Sequence, residues 1–360
     1  MIKKTASFMG ALSHKAFQSQ DTLGRQCKED EDLALAQFLD PFEIDIWKIK
    51  SSKSFRALAG KTQVWPLSAN PLVRNRLTHT LEVEAIAVMI AQVLGLNVSL
   101  TRAIALSHDL GHAPFGHMFE RIISEITGIK FRHEFFGPLL MQKIERQGKG
   151  INASFEVLEG DSRHSRGDGK LITEINHPSE YGAVVCADKI GYTPSDVNDC
   201  LRMGYLKKTP TRLKHLGKNQ REQVNSCLLA LFKESAECGY VSFSTSKQAI
   251  AFEDARQWMY KNVYHKLDQE PDRIGNEEHI RRAYSFVSKY FNFNSIDTAV
   301  ALATMTDREI ITLSEMESGP TTVRDIKKLE HSGFMERLKY CQGVGYTEED
   351  MKASWSWAKK

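Results

Sequence analysis

The stretch from Thr78 to Leu96, THTLEVEAIAVMIAQVLGL, constrains this chain more than any other. Its apolar residues run nearly all the way round a helical wheel, and a helix without a polar side has no face to give to water. It must be packed from all sides, which calls for further helices around it. The longest unbroken apolar run within it, Ala85 to Ala91, is far too short to cross a bilayer, so no membrane partner is expected. The 360 residues can supply the packing themselves. At 41% hydrophobic and 26% charged, with 23 Gly and 10 Pro, usage is ordinary for a globular protein, which excludes collagen, low-complexity disorder and a disulfide-stapled miniprotein. The expected class is all-α, predominantly helical.

Further helices can be placed from caps and stops. Ser99 is a candidate N-cap for a helix that runs to Leu110 and stops at Gly111. A third, Phe115 to Thr127, carries Phe115, Met118, Phe119, Ile122, Ile123 and Ile126 on one stripe, with Gly128 as its stop. A fourth starts at Ser179, carries Val184, Val185 and Ala187, and is kinked or ended by Pro194. Residues 1–44 are polar and mixed and read as a partly ordered arm. The Gly, Ser and charged residues of 146–170 read as a mobile loop, and one small hairpin is expected around Tyr240–Ser244. The rest, 206–360, alternates helical stretches with short linkers.

Charge and cysteines bound the setting. A net charge of +3 demands neither DNA nor an anionic membrane as partner. The basic start MIKKTASFMGALSHKAF has no apolar stretch long enough for a signal peptide. Cys27, Cys186, Cys200, Cys227, Cys238 and Cys341 are scattered with no CxxC pair, so a reduced, cytoplasmic protein is expected.

Polar residues inside apolar helices are the informative ones, because burying them costs free energy unless they are paired. His79 opens the first helix, His108 and Asp109 end the second, and Asp188 comes directly after Val-Val-Cys-Ala in the fourth. Two imidazoles and two carboxylates form a mixed N/O ligand set suited to a borderline or hard divalent ion. No thiolate belongs to the set, which argues against structural zinc. A metal held there would acidify a bound water and polarise a phosphoryl oxygen. The bland alternative is that each histidine is a satisfied core residue.

The residues just after His108-Asp109 sharpen the choice. In HDLGHAPFGHMFE, His112, His117 and Glu120 lie four, nine and twelve residues beyond His108, and Gly111, Pro114 and Gly116 make the intervening turn. His117 and Glu120, three apart, share a helix face and can hydrogen-bond, an arrangement suited to general acid/base work. Such a pair also occurs on plain helix surfaces; the company it keeps favours a site. Arg74 and Arg76 lie upstream of His79, and Lys189 is next to Asp188. Guanidinium forks suit phosphate oxygens, although either arginine can equally be a helix-flanking surface charge. A polyanion beside a metal points to phosphoryl transfer to water.

At these residues a resemblance is evident. The runs KIKSSKSFRALAGKTQV (48–64), RNRLTHTLEVEAIA (74–87), HDLGHAPFGHMFE (108–120) and ADKIGYTPSDVNDCL (187–201) resemble, in order, the HD-domain deoxynucleoside triphosphate triphosphohydrolases, the dGTPase family. The likeness spans about 45–205, giving an arm (1–44), an HD-domain helical core (45–205) and a C-terminal helical region (206–360) that completes the pocket and oligomer contacts. It implies that His79, His108, Asp109 and Asp188 hold a divalent ion (Mn favoured; Mg, Co, Fe or Ni as alternatives). It further implies that His117 and Glu120 are the catalytic pair, that His112 faces the α-phosphate, and that His133 is a further active-site histidine. Arg76 and Lys189 match phosphate contacts, Gln63 and Asp196 match residues at the sugar 3′-hydroxyl, and Tyr192 matches a tyrosine packed on the sugar. The implied reaction is attack at the α-phosphorus, giving a deoxynucleoside and inorganic tripolyphosphate, with a dGTP-like substrate as first guess. The implied assembly is a homo-oligomer, dimer to hexamer, in some members with a second, activating dNTP site.

The chain also departs from the pattern. Lys48 stands where the family usually has Arg, Ala57 where a second Arg is common, and Ala113 where Pro is common. The first two bear on contacts of the N-terminal segment and leave the ligand set intact. Two alternatives stay open: another HD phosphohydrolase acting on monophosphates, cyclic nucleotides or ppGpp, and a non-catalytic nucleotide-sensing module. Single-stranded nucleic acid is at most a secondary partner, for which the terminal SWSWAKK offers tryptophans able to stack on bases.

Overall fold

The computed structural model describes residues 8–65, 70–165, 169, 171–174, 176–267, 271–317 and 333–358. The expected central helix is present as α4, Arg76–Leu94, preceded by α1 (Asp30–Leu35), α2 (Pro41–Ser51) and α3 (Lys53–Ala57). Asn75 and Thr78 close a reciprocal capping box on α4, so its first turn is fixed where the site begins. It is long and apolar enough to cross a membrane by length and composition alone. Its residues Val83, Ala87, Ile90, Ala91 and Leu94 are nevertheless sealed in the protein core, against α5 (Val98–Ser107), α9 (Ser179–Arg202) and α11 (Gln220–Cys238).

Several boundaries differ from the sequence reading. Asn97, not Ser99, caps α5, its side chain accepting from the Leu100 N–H at 2.9 Å, and the helix ends at Ser107. The third helix, α6, starts at His117 because Phe115 and Gly116 both take positive φ, which no helix continues through; it ends at Gly128 as expected. Helix α9 begins at Ser179 and runs through Pro194 to Arg202. One missing rung is outweighed by burial on both sides of the proline, from Ile190 to Val197 and Cys200.

The expected mobile loop 146–170 is largely structured. Helix α8, Phe155–Ser162, packs against α5 and against α7 (His133–Lys143), and Ile151, Ala153, Val157 and Leu158 are buried. Residues 166–168 and 170 of that segment lie outside the described residues, as do 1–7 of the arm and the last two residues of the tail. The expected hairpin at Tyr240–Ser244 is an isolated bridge instead: Ser242 pairs with Ile172, supported by bonds from Thr173 N to Val241 O and Phe243 N to Leu171 O. Among the described residues there are no strands beyond isolated bridges, so the class is all-α as expected.

The second half adds α10 (Thr211–Lys214) and α12 (Lys247–Met259), which passes through a π-helical turn, Tyr260–Tyr264, into α13 (His265–Leu267). Next come α14 (Pro271–Phe291), α15 (Ser295–Ala303), α16 (Asp307–Glu317), α17 (Phe334–Leu338) and α18 (Glu348–Ser354). One hydrophobic core runs from Leu12 to Met351. A smaller one joins Val64, Val197, Cys200 and Leu213 to Ala255, Met259, Val263 and Leu267.

Candidate active site

A cavity of about 430 Å³ is walled by residues of both cores and holds most of the sequence-predicted set: Gln63, Arg76, His79, Asp109, His112, His117, His133, Asp188, Lys189, Tyr192 and Asp196. His108 and Glu120 stand behind this wall, the first against His79 and Asp109, the second against His133.

The N/O set converges as its spacing suggested. His79 Nε2 lies 3.2 Å from Asp188 Oδ1 and 3.9 Å from Asp109 Oδ2, and His108 Nε2 lies 3.6 Å from Asp109 Oδ1 and 4.0 Å from Asp188 Oδ1. The His79, His108 and Asp109 donor atoms lie within 4.8 Å of one another, a spacing that could hold an ion, with Asp188 beside both histidines. His108 supplies the sharper test. Its Nδ1 donates to the Ala105 carbonyl at 2.7 Å, which leaves Nε2 as a lone pair, and that buried nitrogen has no partner. Burial also holds His108 below the ordinary histidine range, which favours the neutral imidazole that a metal would need. Burial pushes Asp109 upward, but the Arg76 guanidinium, 3.0 Å from Oδ2, overrides it and holds the carboxyl below its usual range. Burial likewise opposes ionisation of Asp188, yet Lys189, 3.0 Å away, and His79 keep it well below. These residues fit a divalent cation.

Arg76 and Arg74 separate cleanly. Arg76 is buried on the cavity wall, with Nε donating to the Thr62 carbonyl at 3.2 Å. Arg74 turns away and is tied to Glu82 and Asp199 at 2.8 and 2.9 Å, a structural role.

The expected His117–Glu120 bond is replaced by another. Glu120 Oε1 pairs with His133 Nδ1 at 2.7 Å, so the partner comes from α7 rather than from the same helix face. Burial opposes charge on both, but their mutual attraction wins: Glu120 is lowered and His133 is raised. The His112 ring stacks on His133 with centroids 3.5 Å apart. Burial, then Arg76 and His133, hold His112 well below the ordinary range. The His117 side chain opens into the cavity; enclosure by the wall lowers it too, against the pull of Glu120.

At the predicted sugar contacts, Gln63 Oε1 and Asp196 Oδ1 are buried without partners. Asp196 Oδ2 accepts from the Tyr264 hydroxyl at 2.6 Å, and burial raises the Asp196 carboxyl to about 7. The Tyr192 ring lies 5.3 Å from Lys189 Nζ.

Sequence reasoning missed several residues of the wall. His164 sits on it, 3.2 Å from His133. Its segment reads as loop by composition; the signal that could have found it is the apolar trio Phe155, Val157 and Leu158 just upstream. Tyr260, Tyr264 and His265 reach the cavity from the π-helical turn and α13, and no motif in the C-terminal region marks them. A one-residue insertion of this kind re-aims side chains and often marks a functional position.

Comparison with known proteins agrees with this geometry. The HD domain family model matches residues 76–176, the segment that carries His79, His108 and Asp109. Fold and ligand set together define a metal-dependent phosphohydrolase of the HD class. A deoxyguanosinetriphosphate triphosphohydrolase-like protein of Clostridium tetani is 35% identical over 254 residues, 69% of this chain and 72% of that one. A protein of the same description from Caldanaerobacter subterraneus subsp. tengcongensis is 32% identical over 317 residues, 87% of each chain. The chain belongs to this deoxyguanosinetriphosphate triphosphohydrolase-like family.

Proposed function

We propose that this protein hydrolyses a deoxynucleoside triphosphate to the deoxynucleoside and inorganic tripolyphosphate, with dGTP as the first substrate to test and Mn²⁺ as the favoured ion. The observation that carries the reading is a single cavity in which the N/O ligand set adjoins two cations, Arg76 and Lys189, and two unpartnered acceptors, Gln63 Oε1 and Asp196 Oδ1. Cations beside the ligand set suit a phosphate chain, and buried unpartnered acceptors suit a sugar hydroxyl that arrives with the substrate.

A divalent ion held by His79, His108, Asp109 and Asp188 supplies Lewis acidity and an acidified water when bound. Arg76 and Lys189 neutralise and orient the phosphate oxygens. His112 faces the α-phosphate from its stack on His133. Bonding of the water oxygen to the α-phosphorus breaks the bond to the 5′-oxygen, which must take up a proton. His117 is an imidazole open to the cavity that can move it, since a bound polyanion raises an imidazole that enclosure alone lowers.

The test is incubation of purified protein with each dNTP in Mn²⁺, Mg²⁺ or Co²⁺, with products separated by anion exchange. Tripolyphosphate with deoxynucleoside is the expected pair. Pyrophosphate or orthophosphate as first product would assign the site to another HD phosphohydrolase, and tight binding without product would assign it to sensing. The reading also takes in a cytoplasmic homo-oligomer with a second, activating dNTP site; sedimentation, and the same assay with a second dNTP added, test those parts.

A further inference from the structure

His164 is not part of the motif set, yet its hydrogen bonds decide the state of the histidine that is. Its Nδ1 lies within hydrogen-bond reach of the Asp161 carbonyl oxygen. A carbonyl can only accept, so Nδ1 carries the proton and Nε2 is left as a lone pair. That lone pair faces His133 Nε2 at 3.2 Å, and two lone pairs do not face each other at that distance, so His133 Nε2 carries a proton. On the opposite edge of the ring, His133 Nδ1 meets Glu120 Oε1 at 2.7 Å. Both N–H groups of His133 are therefore engaged, one by a carboxylate and one by His164.

We propose that His164 is a positioning residue for the hydrolysis: its Nε2 lone pair accepts from His133 Nε2–H and fixes the plane of the His133 ring. His133 is thereby held as the platform on which the His112 ring stacks at 3.5 Å. Glu120 is held by His133 in turn, and so kept from turning toward the solvent side of α6. His133, with both protons committed, has none to offer a substrate, whereas His117, whose ring centroid is 5.4 Å from His112 and 5.9 Å from His133, keeps its side chain open to the cavity. His164 itself is 3% exposed and lies between α8 and the end of α5, with the His108 ring 5.2 Å away, so its own position is fixed by packing.

This inference rests on the triphosphohydrolase reading for its kinetic part only. The kinetic test uses two isosteric variants of the full chain loaded with Mn²⁺. His164→Gln keeps an acceptor near the place of Nε2, whereas His164→Asn keeps the bond to the Asp161 carbonyl and loses that acceptor. Expected are a kcat for His164→Gln within about threefold of the parent, and a fall of about ten- to a hundredfold for His164→Asn, with KM and bound metal unchanged in both. Equal losses in the two variants, or none in either, would overturn the proposal.

A second measurement needs neither turnover nor a variant. In ¹⁵N spectra of histidine-labelled, Mg²⁺-loaded protein, His133 is expected with both ring nitrogens protonated and His164 as the neutral Nδ1–H tautomer. A His164 ring protonated at Nε2 would overturn the proposal even if every dNTP were hydrolysed. The expected spectrum in a protein that hydrolyses none would leave the positioning intact and sink the substrate assignment.

Discussion

Buried carboxyls in this molecule meet opposite fates, and each is decided by its neighbours within a few ångströms. Asp109 and Asp188 are ionised because Arg76 and Lys189 stand 3.0 Å from them. Asp161, equally buried, has no partner on either oxygen, and burial, with Asp109 and Glu134 nearby, raises it well above the usual range. Its sign is set by linkage: the unfolded chain releases this proton near the ordinary carboxylate pKa while the folded chain keeps it, so stability falls as pH rises above about 4. Asp161→Asn is therefore expected to raise the Tm at pH 7 and to flatten its decline between pH 4 and 7; an unchanged pH profile would contradict the assignment. The ligand residues and the acid/base residues should also part experimentally. His108→Ala or Asp109→Ala is expected to lose bound metal and hydrolysis together. His117→Ala should keep its metal, measured by elemental analysis, while kcat drops about 10²- to 10⁴-fold.

At the scale of elements, the turn 111–116 is the joint on which the site depends. A Cβ at Gly111 would come within 2.1 Å of the His133 carbonyl, so only glycine lets α7 pack this close to the turn. The turn is tied down from the C-terminal region. Asp307, at the start of α16, accepts from Phe115 N at 2.9 Å with one oxygen and from Thr62 N at 3.0 Å with the other, which also takes the Thr62 hydroxyl. One side chain thus holds the positive-φ Phe115 and the residue before Gln63. Asp307→Ala is expected to lower unfolding stability by about 2 to 4 kcal/mol in urea titrations, because three buried donors lose their acceptor. Under the proposed function, the same variant should also raise KM for the nucleotide, as Gln63 loses its anchor. Nothing in the sequence pairs residue 307 with residues 62 and 115, since their separation hides the contact from any local pattern.

Across the whole molecule, a metal bound at the candidate N/O site would couple to the fold, because His79 lies on α4, His108 and Asp109 follow α5, and Asp188 lies on α9. Chelation should lower the Tm by several degrees, since a site filled at about a hundred times its Kd contributes about 2.7 kcal/mol. An unchanged Tm after verified metal removal would mean that these helices hold the site without help. The tail joins the same body: Trp355 and Trp357 lie edge-on against Phe155, their ring centroids 5.5 and 6.3 Å from it, at the start of the α8 that carries Asp161 toward His164.

The sequence by itself determined the helical class and the central helix, and it singled out the polar residues on which a candidate N/O site draws, because helical period, caps and buried polar residues are local signals that survive without tertiary context. It also placed Arg76 and Lys189, which sit next to ligands in the chain. Only the tertiary structure decided that Glu120 pairs with His133 rather than His117, that Phe155–Ser162 folds into a buried helix delivering His164, and that Tyr264 meets Asp196. Those contacts join residues 13 to 68 positions apart, and their strength comes from desolvation and packing that exist only once distant segments are brought together.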